Sequence, residues 1–330
     1  MKPMLLRLLC LIGLGMVLHT QAVVAQGGSA AQSYPAKPVR LVVGYSPGGL
    51  PDTIARILAQ KLGERWKQQV IVENKPGANG NLAADHIAKS AGDGYTLLVA
   101  DSGTTAINPF LYAKLPFDPE KDLIPVVIVA RAPLFLAVHS SVPANTFPEL
   151  VALVKSKPGE FSYGSSGIGS IHHLCMEYLK SALGMNITHV PFKGTGQSVP
   201  ALVGGQVPMV LSAYPSLSPY AKDGRVKLLA ANSLKRSAFA RNIPTIAETV
   251  PGFDFATTIG IFAPRGTSKE LVNKINADSV EIVGLPDTVT RMLNLGIDAE
   301  GSTPEEYATL LKADAERYSK AVKISGAKAE

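Results

Sequence analysis

Two stretches of the chain combine glycine, serine and the start of a helix in a way that suits an anion. The first, Ser46-Pro47-Gly48-Gly49-Leu50-Pro51-Asp52, follows an apolar run at residues 40–45. The second, Gly164-Ser165-Ser166-Gly167-Ile168-Gly169-Ser170, follows residues 161–163. Each reads as strand, glycine-rich loop and helix N-terminus. Such a terminus offers unpaired N–H groups and about half a positive charge. Glycine lets the backbone approach an anion closely, and the hydroxyls of Ser46, Ser165, Ser166 and Ser170 can add hydrogen bonds. A carboxylate can be held this way without an arginine. One such loop is also an ordinary strand-to-helix turn; a pair of them says more.

Enzyme signatures fail on spacing. In Gly164-Ser165-Ser166-Gly167-Ile168, isoleucine stands where a nucleophile elbow needs its second glycine. After Gly167 and Gly169 the third position of a dinucleotide fingerprint is His172. His172, His173, Cys175 and Glu177 are close in sequence, but at helical spacing they point different ways. Cys175 joins an apolar stripe and His173 is expected to face Glu177. That leaves at most two ligands, too few for zinc. The expectation is a core cysteine with surface histidines, and neither metal nor cofactor.

The elements that must position these loops are legible. Short, nearly continuous apolar runs recur at residues 40–45, 70–73, 96–100, 126–130, 134–138, 207–211, 227–231 and 260–263. Strands of that kind are buried on both faces. Helical spacing links Ile54, Ile57, Leu58, Leu62 and Trp66, and again Ile171, Leu174, Cys175, Tyr178 and Ala182. Thr146 with Glu149, Thr267 with Glu270, and Thr303 with Glu306 each fit a capping box. Pro304 suits the first turn of a last helix over residues 304–322. The pattern predicts an α/β protein with two open, mainly parallel sheets flanked by helices. Crossings between lobes are expected at residues 134–139 and 253–261. This puts residues 34–135 with 255–330 in one lobe and inserts 136–254 as the other.

Composition sets the outer bounds. The chain has 330 residues, 46% hydrophobic and 6% aromatic, with a net charge of +6. Lysine and arginine are scattered, which disfavours nucleic acid as a partner. Lys2 and Arg7, an apolar run at residues 8–18 and Val23-Val24-Ala25 form the pattern of a secretory signal peptide cut after about Ala25. Of the two cysteines, Cys10 lies within that leader, so Cys175 has no intrachain partner.

Further motifs carry a family resemblance. They include Tyr34-Pro35-Ala36-Lys37-Pro38, Ser46-Pro47-Gly48-Gly49 with Asp52, and Val72-Glu73-Asn74-Lys75-Pro76-Gly77-Ala78. Later come Asp93-Gly94-Tyr95, Asn108-Pro109-Phe110, Gly164-Ser165-Ser166-Gly167 with His173-Leu174, Val190-Pro191-Phe192-Lys193-Gly194, and Gly204-Gly205-Gln206-Val207. In this order and spacing, over residues 34–322, the chain resembles the Bug family, the solute-binding receptors of tripartite tricarboxylate transporters. The resemblance implies a type II periplasmic-binding-protein-like fold of two lobes with two crossovers, and a monomeric, non-enzymatic receptor in the periplasm serving membrane transporter subunits. It implies carboxylate contacts at Ser46, Gly48, Gly49 and Asp52, with Ser102 and Thr104 in loop 102–105. In the second lobe it implies Ser165, Ser166, Gly169, Ser170 and His173, with Lys193 and Gly194 near the mouth. Asp52 is equally readable as a helix cap and Lys193 as a solvated charge. Pro208 and Ser212 stand where relatives commonly carry acids, so the ligand is expected to lack an α-amino group. A ligand sensor feeding a signalling partner and a secreted hydrolase or lyase using Ser165 or His173 stay open as other readings.

Overall fold

The computed structural model describes residues 34–329, and the expected leader lies outside them. In chain order the strands are β1 (Val39–Val43), β2 (Val70–Asn74), β3 (Thr96–Asp101), β4 (Leu123–Ala132), β5 (Leu134–His139), β6 (Phe161–Ser165), β7 (Ile187–Pro191), β8 (Met209–Ala213), β9 (Val226–Ala231), β10 (Thr257–Pro264) and β11 (Asp298–Ala299). The helices are α1 (Leu50–Trp66), α2 (Asn81–Ala88), α3 (Asn108–Leu111), α4 (Pro119–Asp122), α5 (Phe147–Ser156), α6 (Ile171–Leu183), α7 (Thr195–Val203), α8 (Tyr214–Lys222), α9 (Lys269–Val283), α10 (Pro286–Asn294) and α11 (Pro304–Ser325).

The strands form two sheets, ordered β11-β4-β10-β3-β1-β2 and β7-β6-β8-β5-β9. Both are mixed, where the sequence suggested mainly parallel pairing. β1 is parallel to β2 and β3, and β6 to β7 and β8, as strands joined through helices must be. The antiparallel strands adjoin the passages between sheets. β10 opposes both β3 and β4, and β5 opposes β8 and β9.

Only Pro133 separates β4 from β5, so the outward crossing is a single residue. Residues 232–256 make the return. Asn232 joins the two: its side chain accepts from the Leu134 amide at 2.8 Å and donates to the Phe255 carbonyl at 2.7 Å. β10 is buried at every position, which its all-apolar or small sequence permits. Among the expected caps, Thr303 and Glu306 form the full reciprocal box. Thr146 caps α5, but the Glu149 carboxylate reaches the Asn145 amide one residue early. The cap of α9 is Ser268, whose hydroxyl accepts from Leu271; Thr267 instead donates to the Pro264 carbonyl.

Candidate functional site

At the carboxyl end of β1 the backbone turns through Gly44, which packs so closely on Gly80 that a Cβ would lie 2.5 Å from the Gly80 Cα. Ser46, Pro47 and Gly48 are exposed, and α1 starts at Gly49 with no side-chain cap. Gly48 has φ +85°, a conformation glycine adopts at little cost. Asp52 gives the loop its shape. Its buried carboxylate accepts from the Gly48 amide at 2.8 Å, from Arg56 at 2.9 and 3.0 Å, and from Asn74 at 2.9 Å. Burial opposes its ionisation, yet the hydrogen bonds from Arg56, Gly48 and Asn74 hold its pKa below the usual range. Asp52 ties the loop to α1 and β2, and the N-cap position itself is held by Gly49.

Residues 102–105 are helical rather than the loop expected, Ser102 preceding a π-helical turn over Gly103–Ile107, and they are similarly self-satisfied. The Ser102 hydroxyl accepts from the Thr258 amide at 3.0 Å, which fixes the end of β3 to β10. Thr104 is buried, lies 3.3 Å from the Tyr45 hydroxyl and donates to the Asn79 carbonyl. Tyr45 donates to Asp101 at 2.8 Å. Burial raises the Asp101 pKa, and burial followed by the Asp101 charge raises that of Tyr45. Asn79, at φ 52°, donates to Asn108 at 2.6 Å. Tyr45, Asn79, Asp101 and Asn108 therefore join three loops, a role that their sequence spacing did not announce.

The second glycine-rich loop closes on itself. Ser165 is buried, accepts from the Gly167 amide at 3.1 Å and lies 2.6 Å from His189 Nε2. Ser170 caps α6 by accepting from the His173 amide, and donates to the Gly167 carbonyl at 2.7 Å. Ser166 pairs with His172 Nδ1 at 2.7 Å. His173 Nδ1 accepts from the Gly169 amide at 3.1 Å. The Phe192 amide donates to the Ser165 carbonyl, so exposed Lys193 and half-buried Gly194 lie beside this loop.

Ser46, Gly48, Gly49 and Asp52 are thus gathered with Ser102 and Thr104 at one edge. Ser165, Ser166, Gly169, Ser170 and His173 are gathered with Lys193 and Gly194 at another. The segment that leaves β3 reaches the second group, for its Leu111 would stand 3.3 Å from a Cβ on Gly169.

The model for the tripartite tricarboxylate transporter family receptor matches residues 54–326. The chain belongs to this receptor family. BugT of Bordetella pertussis is 32% identical over 324 residues, covering 98% of each chain. MatC from Rhodopseudomonas palustris, solved with bound malate, is 31% identical, with a TM-score of 0.69 over 88% of this chain and 100% of its own. Another R. palustris protein, solved with adipate, is 33% identical, with a TM-score of 0.73 over 89% and 98%.

In this receptor the cluster around His173 departs from the expected arrangement. Cys175 is a core residue, and burial pushes its thiol pKa up. The histidines are not surface groups. His173 is buried and stacks on His189 with ring centroids 4.0 Å apart, and Glu177 instead binds the Tyr163 hydroxyl and Lys180. Helical spacing alone hid this because the partner ring comes from β7, a strand that the apolar pattern also missed. Ser165 and His189 do form a serine–histidine pair, but the receptor keeps that hydroxyl inside the loop and 1% exposed. A nucleophile must reach its substrate, so this pair braces the loop.

Proposed function

We propose that this receptor captures a small dicarboxylate between its two glycine-rich loops and presents it to the membrane subunits of a tripartite transporter. The observation that carries the reading is the exposed 46–48 loop, which lies at an uncapped helix start and is held in shape by Asp52. A carboxylate placed there meets fixed dipoles and needs no countercharge. The malate and adipate found in the family relatives suit this chemistry. The lobes formed by residues 34–135 with 255–330 and by 136–254 close on the ligand, and the closed form is what a partner reads. Export by the leader places the protein in the periplasm, as a monomer. It catalyses no reaction on the ligand.

Ser212 stands where the family resemblance leads one to expect an acid able to pair with an ammonium group, and it is fully buried. The ligand accordingly carries no α-amino group. Calorimetric titration and thermal shift with malate, adipate, succinate, glutamate and aspartate test this. Saturable stabilisation by a dicarboxylate, growing with the logarithm of its concentration, is expected. No stabilisation by any carboxylate would sink the reading, and glutamate or aspartate as the best ligand would sink its amino-free part. Gly49→Asp, which puts a like charge at the loop, is expected to weaken binding by more than about tenfold. Unchanged affinity there would mean the first loop is not the site.

A further inference from the structure

Three of the loop residues 165–170 are each fastened to a different imidazole. Ser165 meets His189 Nε2 at 2.6 Å, Ser166 meets His172 Nδ1 at 2.7 Å, and the Gly169 amide meets His173 Nδ1 at 3.1 Å. The rings arrive from two elements, α6 and β7, and two of them stack face to face at 4.0 Å with Tyr163 on the outer face of His189 at 4.9 Å. The loop they hold is strained without glycine, with Gly167 at φ +127° and Gly169 at φ +75°. Nothing in the capture of a carboxylate by backbone amides requires histidine beneath the loop.

We infer that His172, His173 and His189 are the positioning residues of the second carboxylate loop, and that His173 keeps Gly169, and with it the loop, in the binding geometry only while its ring is neutral. This rests on the dicarboxylate reading above. The His173 contact fixes the protonation state. A backbone N–H can only donate, so Nδ1 of His173 must carry the lone pair and Nε2 the hydrogen. A proton on that Nδ1 would set two N–H groups against each other and release Gly169. The stack adds a second constraint, because charge on one ring disfavours charge on the other at this separation.

The surroundings act in the same direction. Burial lowers the pKa of all three rings, to about 4 for His172 and His189. The charged groups facing His173 and His189 are Glu177 and Lys180, both on α6, and they oppose one another. β6 contributes Tyr163 and β7 contributes His189 itself. β8 carries no titratable side chain. On α11, Arg317 pairs with Asp314 and acts on Cys175. The loop therefore keeps its shape through neutral pH and loosens under acid, below the ordinary histidine range of about 6.5.

An NMR titration of the full chain reads this directly. The Gly169 amide resonance is expected to move with the same midpoint as the His173 ring, below pH 6.5. A Gly169 amide that ignores that midpoint, or a His173 ring that titrates at 6.5 or above, overturns the inference. Binding supplies the second arm. Malate affinity is measured from pH 7.5 to 4.5 for the parent and for His173→Asn, whose amide oxygen can sit where Nδ1 sits and takes no proton. The parent is expected to lose affinity by up to about tenfold per pH unit below the ring midpoint, beyond what malate's own titration gives. His173→Asn is expected to show the malate term alone, and a pH profile identical to the parent's overturns the inference. If malate and adipate fail to bind at pH 7.5, the dicarboxylate reading fails, while the ring and amide titrations still decide the histidine roles. If the variant fails to fold, those same titrations decide.

Discussion

At Asp52 one carboxylate accepts hydrogen bonds from Gly48, twice from Arg56 and from Asn74, and so converts a glycine-rich turn into a fixed shape. Asparagine keeps one acceptor oxygen but sets an NH2 group against the two donors that met the other. Asp52→Asn is expected to cost on the order of 1–3 kcal/mol in chemical denaturation and to weaken malate binding as well. A loss of affinity with full stability would instead mean that Asp52 touches ligand. Glycine spacing and helix start marked both loops in the sequence. The fate of each hydroxyl was not legible. Ser165 and Ser170 look open on paper, but the positive φ at Gly167 and Gly169 folds the loop so that both bind its own backbone. Likewise Ser102 and Thr104 read as polar loop residues but lie at a π-helical turn, where the approach of β10 and of Tyr45 takes up their hydroxyls.

The elements most exposed to error were those whose environment comes from distant sequence. β7, reading Ile-Thr-His-Val-Pro, is an edge strand with half-exposed positions, so it lacks the continuous apolar run that gave away the central strands. The passages between sheets fall at Pro133 and residues 232–256, whereas the segments expected to cross lie largely within β5 and β10, and the polar groups that hold the passages together were not legible either. Arg131, last but one in β4, pairs with Asp254 at 2.6 Å and donates to Thr258 at 2.9 Å, linking both passages between the sheets. Both charged side chains are largely buried, so each depends on the other for solvation. Asp254→Ala is expected to destabilise the protein by about 3–5 kcal/mol, because it strands a buried guanidinium. The double change Arg131→Met with Asp254→Leu, which removes both charges, is expected to cost much less. Denaturant melts of the two variants separate these outcomes; equal losses would show that Asp254 acts through packing and not through the ion pair.

Across the whole molecule, α11 joins the packing of both sheets. Tyr307 lies in a core with Val42, Leu98 and Phe262, whereas Tyr318 and Ala321 share a second core with Leu136, Leu174 and Leu211. Unfolding is accordingly expected as one cooperative transition, whose midpoint reports ionisation throughout the chain. The signs differ by group. His172 and His189 have folded pKa values of about 4, below their unfolded value of 6.5, so the stability present above pH 6.5 is lost as pH falls toward 4. Asp314 works the other way. Burial, outweighing Arg317 and Arg131, raises it from 3.8 to about 6, so ionising it costs stability as pH rises through that interval. Glu248, held down to about 2 by Arg236 and the Thr245 amide, loses its contribution only in stronger acid, below 4.5. Between pH 4 and 6 the Asp314 effect offsets only one of the two histidines, so the melting temperature is expected to fall as pH drops through that interval, and Glu248 continues the loss below it. Asp314→Asn isolates one side of this balance, since asparagine cannot ionise. Relative to the parent, the variant's stability is expected to improve by up to about 3 kcal/mol as pH rises from 4 to 7. A difference that stays constant over that range would show that Asp314 is already ionised at pH 4, and that its pairing with Arg317, at 2.6 Å, outweighs burial.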